Sequence, residues 1–190
     1  MAHTRCKWCN LKNELYIKYH DEEWGVPTYD DESLFEFLIL EPFQAGLSWE
    51  TILKKRENFR TAFDNYNMDK ICNYDETKIT ELMQNPGIIR NRRKIEAAIN
   101  NTKIFKEIQK EWTSFSDYIW HFTNHKIIYE VGKGSSPLSD EISKDLKKRG
   151  MKFIGTTIVY AYLQSIGVIY SHDEECFLHK KRNITGNQNN

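Results

Sequence analysis

The chain has no net charge to offer a partner: 27 Lys and Arg balance 27 Asp and Glu across 190 residues. An overall field attracting nucleic acid is therefore excluded, and any such contact has to come from local clusters. A long hydrophobic run is missing too. The longest mainly apolar stretch, Ile158 to Tyr170, is interrupted by Gln164, Ser165 and Gly167 and is too short to cross a bilayer. The opening residues, MAHTRCKWCN, lack the apolar segment of a signal peptide, so a cytoplasmic protein with no membrane association is expected. Cysteine is scarce, with four in all, at 6, 9, 72 and 176; without a secretion signal these read as metal ligands or buried thiols and not as a disulfide framework. There is no G-x-S-x-G elbow, no Walker or dinucleotide phosphate loop and no H-E-x-x-H, and GKGSSP at 132–137 is only a loop.

What the chain does have is aromatic weight near its start. Tyr16, Tyr19, Trp24 and Trp49, with His20 and with Glu41 beside Pro42, surround a short apolar helix. Such residues can form a pocket for a flat cationic ring. Stacking grips a flipped base by its faces, a base made cationic by alkylation gains a cation–π attraction, and a carboxylate at the edge accepts hydrogen bonds from an exocyclic amine. Trp and Tyr are also ordinary core residues, so composition by itself does not single out a pocket.

Helical patterning covers most of the remainder. Residues 1–15 form an irregular arm holding His3, Cys6, Trp8 and Cys9. Asp30 or Asp31 can cap a helix whose stripe is Leu34, Phe35, Leu38 and Ile39. Pro42 is expected to stop that helix and leave Glu41 off any helix face. Ser48 caps a helix carrying Ile52, Leu53, Phe59 and Phe63, and Asp75 caps one with Ile79, Leu82 and Met83 inward. Asn85, Pro86 and Gly87 then break the chain, and a long helix begins near Arg90. A short buried helix is predicted at 114–122, one capped by Ser139 and ending at Gly150, and another from Thr156 to Ile166 ended by Gly167. Near the end, His172 and Cys176 sit four apart, on one side of a helical turn. No strand pair and no internal repeat is visible, so the class is all-α, as one domain over 1–180 with a disordered tail at 181–190.

Two further groupings carry chemistry. Cys6 with Cys9 and His172 with Cys176 are the local pairs that a tetrahedral zinc site favours, with His20, His3 and His179 competing for places; an unrelated thiol pair and helical His and Cys would look the same. A metal there would join the two chain ends. The turn at Asn85 to Ile89, with Gly87 and Ile88, points backbone amides outward at a helix N-terminus, and Arg90, Arg92, Arg93 and Lys94 follow. That is a phosphate site that does not read base sequence, although such turns are often plain punctuation.

Taken in order, YIKYHDEEWGVP, EPFQAGLSWETILKKRENFR, PGIIRNRRKIEAAINN and LKKRGMKFIGTTIVYAYLQSIG followed by H-x3-C closely resemble the bacterial 3-methyladenine DNA glycosylase I family. The likeness covers nearly everything from Cys6 to about Cys176. It implies a helix-hairpin-helix glycosylase fold, with the hairpin at Leu82 to Ile95. It also implies a structural zinc site held by Cys6, His20, His172 and Cys176, joining residues 1–24 to 168–180 and leaving Cys9 outside. Base binding falls by similarity to Glu41 and Trp49, with Tyr16 and Tyr19 lining the pocket and Trp8 and Trp24 nearby. Pro42 and Phe43 depart from the smaller or more polar residues expected after the glutamate. The implied partners are double-stranded DNA containing alkylated bases and free 3-methyladenine as product, bound by a monomer. The aspartate that related glycosylases place after the hairpin is missing; Asp117 suits a helix cap better. The hairpin also lacks their Schiff-base lysine, so hydrolysis without strand cleavage is expected. The alternative is a zinc-stapled protein that binds damaged DNA through the same hairpin without excising the base.

Overall fold

In the computed structural model, which describes residues 3–179, the first helix is one that apolar periodicity does not announce. Asn13 caps α1, Glu14–Glu22, by accepting from the Leu15 amide, and the buried positions of α1 are Tyr19 and His20 where aliphatics would have given a stripe. Asp30 caps α2, Asp31–Gln44, through the Ser33 amide at 2.9 Å. Residues 34–43 of α2 are all buried, so this is a core helix with no solvent face.

Pro42 does not stop it. The proline removes one backbone bond near the C-terminal end, where few follow it, and Phe43 is fully buried against Phe59 and Phe63. The unpaired carbonyls at the end of the helix find a cation: Lys94 Nζ donates to Phe43 O at 3.2 Å and to Ala45 O at 2.9 Å. Glu41 therefore lies on a helix, contrary to the expectation from Pro42.

Ser48 caps α3, Trp49–Ala62, as its position predicts. A short 3-10 turn at Asp64–Tyr66 leads to α4, Met68–Cys72, and Asp75 caps α5, Glu76–Gln84. The long helix α6, Arg92–Trp112, starts two residues later than expected because Asn91 caps it through the Lys94 amide. Next comes α7, Phe115–His121. Ser114, not Asp117, is its cap, and the Asp31 carboxylate also accepts from the Phe115 and Ser116 amides at 2.9 Å each. Ser136 caps α8, Pro137–Lys148, and Ser139 serves as the return partner of a capping box, with Pro137 at the first helical position. The last helix is α9, Thr156–Ser165. Two strands of two residues each, β1 (Ile128–Tyr129) and β2 (Ile169–Tyr170), pair in parallel, which corrects the expectation of no strands and leaves the all-α class standing. The tail at 181–190 lies outside the described residues.

Packing centres on α2, which touches α3, α6, α7 and α9. Burying each of its Leu, Ile and Phe side chains contributes about 1.5–3 kcal/mol. Glu36, nearly buried on α2, accepts from both Arg56 and Arg60 of α3, and Arg56 reaches on to Glu23 at 2.6 Å, which fixes α1 relative to the other two helices. The end of α9 is crossed by the segment after α1: Gly25 N–H donates to Gln164 O and Thr28 N–H to Ile166 O, each at 3.0 Å. Gly167 allows that crossing. Its φ is +73°, and a Cβ there would lie 2.4 Å from backbone atoms of Val26 and Pro27.

Gly167→Ala is expected to cost about 2–5 kcal/mol, from the left-handed conformation and an overlap with rigid backbone together. Equilibrium urea unfolding measures it; a loss below ~1 kcal/mol would show that the crossing can relax.

Candidate active site and metal centre

The end of α9, the C-terminal end of α2, the start of α3, α1 and the arm before it line a pocket of ≈ 320 Å³. Trp8, Tyr16, Tyr19, Trp24 and Trp49 line it together with Glu41, so all six residues singled out for the base are brought to one place. The rings meet at angles. Tyr19 and Trp49 have centroids 5.5 Å apart at 45°, Trp8 and Tyr16 5.3 Å apart at 52°, and Trp8 and Trp24 4.8 Å apart nearly edge-on. Gln44, Lys133, Gln164, Ser165, Ser171 and Asp173 also line the pocket. In the sequence, Gln164 and Ser165 register only as interruptions of an apolar run. The signal was two adjacent polar residues ending a mainly apolar helix.

Glu41 is 2% exposed and rests on α9: Ser165 Oγ donates to its Oε1 at 2.6 Å. Tyr19 OH donates in turn to Ser165 Oγ at 3.1 Å. Burial pushes the Glu41 carboxyl up to about 8, with the Ser165 hydrogen bond opposing. Oε2 has no partner among the described residues and is not among the atoms sealed from solvent, so it faces the pocket.

Beside the pocket lies the second centre. Cys6, His20, His172 and Cys176 are all buried, and one donor atom from each lies within 4.8 Å of the others. Cys6 Sγ is 3.4 Å from His172 Nδ1; Cys176 Sγ is 3.5 Å from His20 Nε2 and 3.6 Å from His172 Nδ1. A tetrahedron with ordinary zinc–sulfur and zinc–nitrogen bonds has S···N edges of about 3.6 Å, so these donors fit one cation and could hold a metal ion. His20 Nδ1 bonds Asp21 Oδ1 at 2.7 Å, and Arg5 grips that carboxylate, an outer shell that leaves Nε2 facing the other donors. With no cation, burial drives Cys6 up to about 12 and His172 down to about 4; a divalent ion is what would ionise the thiols. Cys9 is not in the cluster, its sulfur lying 3.8 Å from the Tyr16 carbonyl. His3 stacks on Phe177, and His179 bonds the His172 carbonyl. His172 and Cys176 meet through non-helical turns and not along the helical turn expected of them.

The turn between α5 and α6 differs from expectation in detail. Gly87 N–H is held by Asn85 Oδ1 at 2.8 Å, Ile88 N–H faces Asn85 O at 3.4 Å, and the Ile88 side chain is buried. A Cβ on Gly87 would meet the Asn58 side chain on α3 at 3.0 Å, so the turn packs closely against α3 there. Among the described residues, the amides of Ile89 and Arg90 have no acceptor. Lys94 is turned inward to α2, Arg92 is bonded to Glu76 and Glu96, and Arg93 lies over Phe153. Arg90 and Arg93 are the exposed cations of the group left without a carboxylate partner.

A helical domain with an aromatic pocket floored by one carboxyl, a four-donor centre and a basic helix–turn–helix defines a helical glycosylase. The family model for methyladenine glycosylase matches residues 8–179, and the chain belongs to that family. It is 45% identical over 179 residues to the DNA-3-methyladenine glycosylase of Haemophilus influenzae, covering 91% of this chain and 96% of that one. A crystal structure of 3-methyladenine DNA glycosylase I superposes with a TM-score of 0.89 at 43% identity, covering 93% of this chain and all of the other. A variant of 3-methyladenine DNA glycosylase I solved in complex with 3-methyladenine does so at 0.88 and 34% identity, covering 94% and 99%.

The raised Glu41 value fixes a sign. Between the ordinary 4.5 and about 8, the folded chain keeps a proton that the unfolded chain has lost, so stability falls as pH rises through that window. Glu41→Gln should flatten that slope and raise the melting temperature near pH 8, by about 2–4 °C for each kcal/mol regained. Thermal melts across the window check this; an unchanged slope would contradict the burial account.

Proposed function

We infer that the chain is a monofunctional DNA glycosylase that hydrolyses the N-glycosidic bond of 3-methyladenine in alkylated double-stranded DNA. The observation that carries this is Glu41, a buried carboxyl with one oxygen turned into an aromatic cage, in a chain whose relative binds 3-methyladenine. The pocket is at the small end for ligand sites, which suits a single base extruded from the duplex. Ring faces hold the alkylated base by stacking and cation–π attraction, and Glu41 Oε2 accepts from its exocyclic amine.

A cationic N3-alkylated adenine is already a good leaving group, and cleavage passes through an oxocarbenium-like state on the sugar. The protein then has to supply extrusion, grip and a placed water more than a strong acid. Glu41 accordingly serves recognition of the base edge, with acid or base work the weaker role. For grip, the open amides at Ile89 and Arg90, the N-terminus of α6 and the Arg90 and Arg93 side chains face phosphates without reading sequence. Lys94, the lysine at the hairpin, gives its amine to two carbonyls and is not placed to form a Schiff base, which favours hydrolysis without strand cleavage.

The two thiols and two imidazoles suit structural zinc, which would tie the N-terminal arm to the segment after β2 and stays outside the chemistry. The working unit is taken to be a monomer, with free 3-methyladenine as a product ligand.

Chromatography of bases released from methylated duplex is expected to show 3-methyladenine; none released would refute the activity. Glu41→Gln should lower release roughly 10-fold, about the worth of one hydrogen bond, while duplex affinity changes less than about twofold. Unimpaired excision by that variant would remove Glu41 from the site. Cys176→Ser should reduce zinc well below about one ion per chain and lower the melting temperature with it. Full zinc content measured in that variant would overturn the four-ligand assignment.

A further inference from the structure

Ser165 sits where three buried groups meet. It closes α9, is itself 2% exposed, and its Oγ lies 2.6 Å from Glu41 Oε1, 3.1 Å from Tyr19 OH and 3.0 Å from Ala161 O one turn back. We propose that Ser165 is a positioning residue that makes Glu41 Oε2, the oxygen facing the base, a hydrogen-bond acceptor in both charge states of Glu41. This rests on the base-pocket function given above and adds a specificity rule to it: a ring must bring a donor to that edge at every pH.

A serine hydroxyl donates once and accepts twice. Tyr19 OH fills one accepting site. When Glu41 is ionised, the Ser165 proton goes to Oε1, and the short contact suits a charged acceptor. When Glu41 is neutral, its own proton sits on Oε1 and is donated to the second accepting site of Ser165, whose hydrogen turns to the Ala161 carbonyl. Every group is bonded in both states, and the carbonyl oxygen of the neutral acid is Oε2. Among the described residues, no other group bonds Oε1. With the hydroxyl deleted, the acid proton is free to sit on Oε2, turning the pocket-facing oxygen into a donor able to accept a ring carbonyl.

The titratable groups facing Glu41 do not confuse the test. Tyr19 from α1 and Tyr162 from α9 are phenols held neutral by burial, and Tyr16, Lys133 and Asp173 lie along the pocket lining. Burial places the Glu41 transition near 8, so measurements at about pH 6 and about pH 9 bracket it.

The experiment titrates free 3-methyladenine and 3-methylhypoxanthine, in which a ring carbonyl replaces the exocyclic amine, against the intrinsic tryptophan fluorescence of parent, Ser165→Ala and Ser165→Cys. In the parent the preference for the amine should hold at both pH values and be stronger at the higher one. In both variants it should fall by about tenfold at the lower pH and recover at the higher one. Cysteine keeps the volume with a weak donor and acceptor, so it reports even where the alanine form does not fold. Variants that weaken both ligands equally, or keep the parental preference at both pH values, would overturn the proposal. A parent that binds no 3-methyladenine would instead reject the pocket assignment on which it stands.

Discussion

Four donors from the two ends of the chain converge within 4.8 Å, and the pocket depends on that convergence. Trp8 belongs to an arm with few buried apolar residues; what fixes it is Cys6 on one side and its packing on Tyr16, Trp24 and His20 on the other. His20 is a donor on the same helix that supplies Tyr19 to the pocket, and His172 packs edge-on against Trp24. The aromatic cage and the donor cluster therefore share a wall. Losing the cluster would loosen the cage, leaving the arm held against α1 by the Arg5–Asp21 ion pair and the packing of Trp8 on Tyr16.

The constraint on the opposite side is electrostatic. A carboxyl placed on an all-buried helix disfavours its own charge, and only one hydrogen bond offsets this. Proteins avoid such arrangements in plain cores, and keeping one beside a cavity is a stability cost that the proposed recognition role would explain. By contrast Glu36, one turn and a half earlier on the same helix, meets two arginines and simply joins helices. Two carboxyls on α2 thus have opposite roles, decided by what α3 and α9 bring to them.

Much of this was legible locally and some of it was not. The caps at Asp30, Ser48 and Asp75 were readable because a cap is an interaction within three residues. The stop at Pro42 failed because the end of α2 is held from outside, by Lys94 from α6 and by Phe43 in the core. Lys94 itself looked like part of a basic run; only the crossing of α6 over the end of α2 shows that it faces inward. Ser139 lost the cap to Ser136 because Pro137 marks the first helical residue, a local signal that outranks a serine two places on. Cys9 seemed the natural partner of Cys6 by spacing, yet the chain turns between them and sends its sulfur toward Tyr16. Gln164 and Ser165 could be weighed only once α9 was laid against α2.

The elevated Glu41 value also bears on how the pocket treats a cation. In the transition state for glycosidic cleavage, electrons flow into the departing base and its positive charge fades while charge builds on the sugar. A fully ionised carboxylate against the base would favour the intact cationic nucleotide over that state, which is binding in the wrong place. A carboxyl with its midpoint near 8 is largely neutral at physiological pH, so part of its attraction to an arriving cation is spent on releasing a proton. In the proposed recognition role, what would remain through the reaction is the hydrogen bond to the amine and the contact with the ring faces, neither of which must be given up as the charge leaves. Placing the carboxyl on α2, sealed by α9 and answered only by a serine, is therefore suited to holding a base while letting its bond break.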